Sequence, residues 1–225
     1  MPSRKEPFVN GYIYHVFNKC IDRNRPFENY ENCQSFYDRL FYYRSIKSTL
    51  SFSSLSRLSR NNLDNLYAEI SNPKYHRVEV LNYSFMPNHY HLLIRQLTNN
   101  GITDFVSYVI NSLTRYYNVK NSRVGPLFLK DFKAERIITD EQLIHTSRYI
   151  DLNPFSSGLV KLIGDLDKFP WSGFPRYIGK KDDKLVTTSQ ILGLVGTYLE
   201  YEKFVLSRGD YQRSLEFIKH TEKFN

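Results

Sequence analysis

Residues 75 to 97, "YHRVEVLNYSFMPNHYHLLIRQL", constrain the fold more than any other stretch of this chain. Two runs rich in β-branched and aromatic residues, 75–85 and 89–97, flank Pro87 and Asn88, a pair that suits a tight turn. The pattern predicts a β-hairpin. Strand side chains alternate, so His89 and His91 share one face while Tyr90, Leu92 and Ile94 take the other.

The remaining segments supply partners for that hairpin. "YIYHVFNKC", residues 12 to 20, follows Gly11 and reads as a first strand. Phe36, Leu40 and Tyr43 recur at helical spacing and predict a helix from about Asn29 to Lys47. Seven serines between Ser45 and Ser59, then Leu63, Leu66 and Ile70, mark an insertion over 48–74 with a loop and a short helix, closed by "NPKY". After "TNNG", apolar residues every three or four positions predict a helix from about Thr103 to Lys120. "RVGPLFLKDFKAERII" opens in a Gly-Pro turn and predicts a fourth strand near Lys130 to Ile138. "TDEQLIHTSRYIDLNP" reads as a helix with Thr139 or Asp140 as N-cap and Pro154 as its stop.

This order, strand, helix, strand, strand, helix, strand, helix, contains the split βαβ pattern of a ferredoxin-like sheet, so the expected class is α+β, an antiparallel sheet with helices packed on it. Beyond Pro154 come an aromatic loop, "FPWSGFPRYIG", and one or two C-terminal helices within 189–220. No repeat or linker demands independent domains. The expected organisation is a main domain over 1–180 and a helical extension over 181–225.

Two imidazoles on one rigid face make a bidentate site for a divalent cation, or a pair of partly buried histidines that hydrogen-bond their neighbours. A metal site needs a third ligand. His145, Tyr149 and Asn153 stand at i, i+4 and i+8 and form a stripe on one helix face. A phenol with an ordinary pKa near 10 becomes nucleophilic beside a cation, and a carboxamide oxygen completes a hard cation's shell. The plain alternatives are a core-facing Tyr149 and an Asn153 that merely ends the helix.

Basic residues outnumber acidic ones 31 to 23, for a formal charge of +8, which favours a polyanionic partner such as nucleic acid. The chain also holds 18 tyrosines, and basic residues interleaved with aromatics suit single-stranded nucleic acid, whose unstacked bases lie flat on rings. Candidate phosphate contacts are Arg115, Lys120, Arg123, Lys130, Lys133 and Arg136 around "RVGPLF", and Asn18, Lys19, Arg23 and Arg25 after the first strand. Cys20 and Cys33 are too few for a thiolate cage or disulfide scaffold and fit a reducing cytoplasm. No targeting or membrane-spanning segment is expected.

Taken together and in order, "YHVFNKCIDRNRPF", "MPNHYHLLI", "TRYYNVKNSRVGPLFLKDFKAERI" and "RYIDLNP" resemble the small tyrosine transposases of the HUH endonuclease superfamily, especially the REP-associated tyrosine transposases. The resemblance covers roughly residues 8 to 180. It implies that His89 and His91 bind Mg²⁺ or Mn²⁺, that Asn153 is the third ligand, and that Tyr149 is the nucleophile. Tyr90, aromatic where relatives carry an aliphatic residue, is a mild departure. The implied activity is cleavage and rejoining of single-stranded DNA near a hairpin or repeat, in a bacterial or archaeal cytosol, by a monomer or homodimer. Tyr116 and Tyr117 are rival nucleophiles. A catalytically silent nucleic-acid binder and a phosphodiesterase using activated water are the competing functions.

Overall fold

The β-rich runs form four strands, β1 (Ile13–Lys19), β2 (Val78–Met86), β3 (His89–Gln96) and β4 (Lys133–Ile137), in a computed structural model that describes residues 7–209 and Gln212. They pair antiparallel in the order β2-β3-β1-β4. With α1 (Tyr30–Tyr43) between β1 and β2 and α3 (Gly101–Lys120) between β3 and β4, this is the ferredoxin-like α+β arrangement that the element order predicts. The insertion holds α2 (Arg60–Ser71), and α4 (Asp140–Ser156) follows β4. Three short helices come after it: α5 (Phe174–Tyr177), α6 (Ser189–Val195) and α7 (Tyr198–Leu206). The expected C-terminal helices over 189–220 are present as α6 and α7, and the part of that reading beyond Gly209, Gln212 apart, lies outside the described residues.

Alternation along the strands divides the core into two layers. Tyr90, Leu92 and Phe85 face α1, where the Phe36 ring lies 4.9 Å from Phe85 and 5.2 Å from Tyr90. Phe36 and Leu40 are one helical turn apart and fully buried, each contributing about 1.5–3 kcal/mol of apolar burial. Asn29 starts α1 by accepting a hydrogen bond from the Asn32 backbone N–H. The opposite sheet face carries His15, Phe17 and His91 and is covered by α4.

A single extra residue decides what β2 presents to α4. Val80 pairs with Ile94 but Asn82 pairs with Leu93, so Leu81 is a bulge. Were the strand regular through Leu81, Asn82, Ser84 and Met86 would share a face with Val80 and point at α1. With the bulge, they turn toward α4. Asn82 then donates to Ser147 Oγ at 2.8 Å and to Asp151 Oδ1 at 2.9 Å. Gly173 passes so close that a Cβ there would stand 2.2 Å from Asn82 Oδ1.

Two expectations are corrected. The fourth strand begins at Lys133 rather than near Lys130, because the chain touches β1 at Phe128 and Leu129, leaves it, and rejoins at Lys133 opposite Phe17. Pro154 does not stop α4, which runs to Ser156. A proline this near the C-terminus removes only its own N–H bond toward the Ile150 carbonyl, and Ser157 N–H still donates to the Asn153 carbonyl at 3.0 Å. Gly158, at φ +77°, follows the helix end.

Candidate active site

The hairpin and α4 bring three of the expected residues together. His89 and His91 rings are 5.1 Å apart and nearly perpendicular. The Tyr149 ring stands edge-on to His91 at 5.7 Å and to the previously unsuspected His15 at 6.1 Å. Thr139 caps α4 by accepting from Gln142 N–H, and Asp140 and Glu141 in the first turn favour its positive end.

Asn153 lies one turn beyond Tyr149, buried, with Nδ2 donating to the Tyr149 carbonyl at 3.0 Å. Oδ1 is therefore the atom it has to offer a cation. His145, the first residue of the predicted stripe, faces elsewhere: its ring lies 5.8 Å from Phe204 on α7, and Arg148 donates to its Nδ1.

The hydrogen bonds around the imidazoles fit a hard divalent cation. His89 Nδ1 is 2.8 Å from Asn88 Oδ1, an atom that only accepts, so Nδ1 carries the hydrogen and Nε2 keeps the lone pair. Burial, with His15 and His89 close by, holds His91 well below the ordinary imidazole pKa, in the neutral form that metals bind. Among the described residues no group of three or more His, Cys, Asp or Glu side chains is arranged to hold a metal ion. A cation placed between these two imidazoles would need an amide oxygen such as Asn153 Oδ1 to reach three protein ligands.

A groove of about 650 Å³ borders His89 and is lined by Phe17, Lys19, Asn88, Leu129 and Lys133. Lys19 and Lys133 belong to the same sheet face as the histidines, since both are in register with Phe17 or His89. Lys130, Arg23 and Arg115 are exposed. The other proposed phosphate contacts already have partners: Arg25 with Glu28, Lys120 with Glu31, Arg123 with the Asn118 side chain and the Gly125 and Pro126 carbonyls, and Arg136 over the Tyr12 ring. Asn18 is buried and donates to the Leu129 carbonyl, which shapes the groove wall. Tyr116 packs under Arg39 between α1 and α3, on the far side of the sheet from the histidines, and Tyr117 sits on the same helix.

Sequence reasoning missed two features. His15 has the strand parity of Phe17 and Lys19, but only the β1–β3 register brings it beside His91. Asp151 is wholly buried and accepts from Asn82 and from Tyr201 Oη at 2.6 Å, and Ser147 and Tyr201 hydroxyls share a further bond of 2.7 Å. Burial raises its carboxyl to about 7, against hydrogen bonds from Tyr201 and Asn82 that pull it down.

A ferredoxin-like sheet with two histidines on a central strand, met by a tyrosine from the helix packed over them, defines the class. Residues 53–153 match the family model described as transposase IS200 like, in agreement with the resemblance drawn from the sequence. No curated protein sequence matches the chain. A solved REP-associated tyrosine transposase bound to a REP hairpin is similar in fold, with a TM-score of 0.54 and 14% identity over 83% of this chain and 98% of that one.

Proposed function

We propose that this chain is a tyrosine transposase acting on single-stranded DNA, which it cleaves and rejoins near a hairpin or repeat through a 5′-phosphotyrosine intermediate. The observation that carries the reading is the approach of the Tyr149 ring to His91, at 5.7 Å, on the sheet face that also bears His89. The family match and the hairpin bound by the structural neighbour support a DNA hairpin as substrate.

His89, His91 and Asn153 would hold Mg²⁺ or Mn²⁺, which would supply positive charge at the scissile phosphate. Tyr149 Oη attacks phosphorus, its proton passes to solvent, and the 3′ oxygen leaves and is protonated to a free 3′-OH. The 5′ phosphate stays on the tyrosine as a diester, so a 3′-OH can reverse the step without ATP. One nucleophile holds one DNA end at a time. Lys19 and Lys133 hold backbone phosphates in the groove, with the exposed Arg23 and Lys130 extending the charge outward, whereas Arg115 lies on α3, across the sheet from the groove. Asn18 and Arg25 line the groove itself, whereas Lys120 ends α3 and Arg136 shares the strand parity of Tyr14, on the sheet face away from the histidines; Arg123 follows α3. The working domain spans residues 1–180, with 181–225 as its helical extension, and acts in the cytosol.

The test is incubation with Mn²⁺ and a 3′-labelled single-stranded hairpin. A denaturation-resistant protein–DNA adduct is expected, lost with chelator and in Tyr149→Phe. An adduct that survives Tyr149→Phe overturns the nucleophile. Cleavage without an adduct points to a hydrolase, and tight hairpin binding without cleavage to a silent binder.

A further inference from the structure

His15 stands two residues before Phe17, whose partner across β1 and β3 is His91, so the two imidazoles emerge diagonally on one sheet face. Their rings are 5.1 Å apart at 21°, with His15 Nε2 2.9 Å from His91 Nδ1. Two neutral imidazoles at that distance share one hydrogen, which leaves two arrangements. If His15 donates, the His91 hydrogen sits on Nε2, and that nitrogen has no lone pair for a metal. If His91 donates from Nδ1, its Nε2 is the ligating atom. His89 shows the second pattern already, because Asn88 Oδ1 can only accept. His15 is itself no ligand through Nε2, since that atom is engaged with His91. Both rings are buried, and Phe17 lies 5.0 Å from His15 and 5.7 Å from His91, so solvent is poorly placed to substitute for the contact.

We infer that His15 is a positioning residue, whose Nε2 accepts the Nδ1 hydrogen of His91 and thereby fixes His91 Nε2 as the metal-binding atom. The inference rests on the proposed role of His91 as a ligand. It extends the site to β1, outside the residues 53–153 that match the family model.

The test combines nitrogen NMR with metal titration. Long-range proton–nitrogen correlation on the metal-free wild-type protein should show His91 protonated at Nδ1, opposite to the Nε2 preference of an imidazole free in water. His91 protonated at Nε2 overturns the inference. Mn²⁺ affinity, read by electron paramagnetic resonance, should fall about 10- to 100-fold in His15→Leu. His15→Gln, whose amide oxygen also accepts, should stay within about threefold of wild type if the hydrogen bond is what matters. His91→Ala separates the two levels. If it leaves Mn²⁺ affinity unchanged, the ligand assignment fails and the inference with it. If it abolishes affinity while a folded His15→Leu keeps it, only the positioning role is overturned. Should His15→Leu not fold, the wild-type tautomer and the His15→Gln titration still decide.

Discussion

The two sides of α4 use polar residues in opposite ways. Toward Asn82 and Tyr201, Ser147 and Asp151 sit in a closed set of hydrogen bonds sealed from solvent. Toward the sheet's histidines, Tyr149 meets rings whose tautomers are set from behind by Asn88 and His15, beside an open groove. One side fixes where the helix sits, and the other presents atoms to something that arrives from outside. A helix that must place a phenol beside an imidazole gains from being pinned on its far side, where no substrate enters.

The comparison breaks most sharply if Tyr149→Phe affects stability rather than chemistry. Expected instead is a loss of DNA cleavage of at least about a thousandfold, by denaturing gel, with the thermal midpoint within a few degrees of wild type. Asp151→Ala should do the reverse first, costing about 3 kcal/mol in denaturant titration because Asn82 and Tyr201 lose a buried partner, with activity falling only as the fold does. Its titration sharpens the point. Burial pushes the folded carboxyl from the ordinary 3.8 up to about 7, so the folded state binds the extra proton between them. The contribution of Asp151 is therefore full below about 3.8 and lost as pH rises through about 7. Relative to Asp151→Asn, wild type should gain stability as pH is lowered from 7 toward 4, and a flat difference would contradict the buried carboxyl. Gly173→Ala should cost about 1–3 kcal/mol by pushing a methyl into Asn82, measured the same way. The smallest effect belongs to His145→Ala, within about 0.5 kcal/mol and without change in cleavage, since that ring is exposed and turned to α7.

What could be read from the sequence follows from how far each signal reaches. Period-two and period-3.6 patterns are local, and they placed the four strands, the long helices and the shared face of His89 and His91. Helical spacing also put Tyr149 and Asn153 on one stripe, but it grouped His145 with them, and only packing against Phe204 separates that residue. The His15 contact spans 76 residues of chain and depends on strand register, which no local pattern states. Asp151 hid because a charged residue in a helix is ordinarily assigned to the surface, and its partners come from β2 and α7. Pro154 misled because the stop rule describes helix interiors, where more bonds are at stake. One missed signal was present: in "VEVLNYSF" the apolar residues fall at 78, 80 and 81, then at 83 and 85, a slip of phase that marks the bulge at Leu81.

That bulge makes a loss of three nucleotides far less damaging at Leu81 than at its neighbours toward the turn. Deleting Leu81 leaves Asn82 directly after Val80 and still opposite Leu93, so the pairing from Asn82 to Met86 and the faces those residues take are kept. Deleting Tyr83 instead shortens the paired stretch itself, and a polar anchor of α4 would have to trade faces with an apolar neighbour.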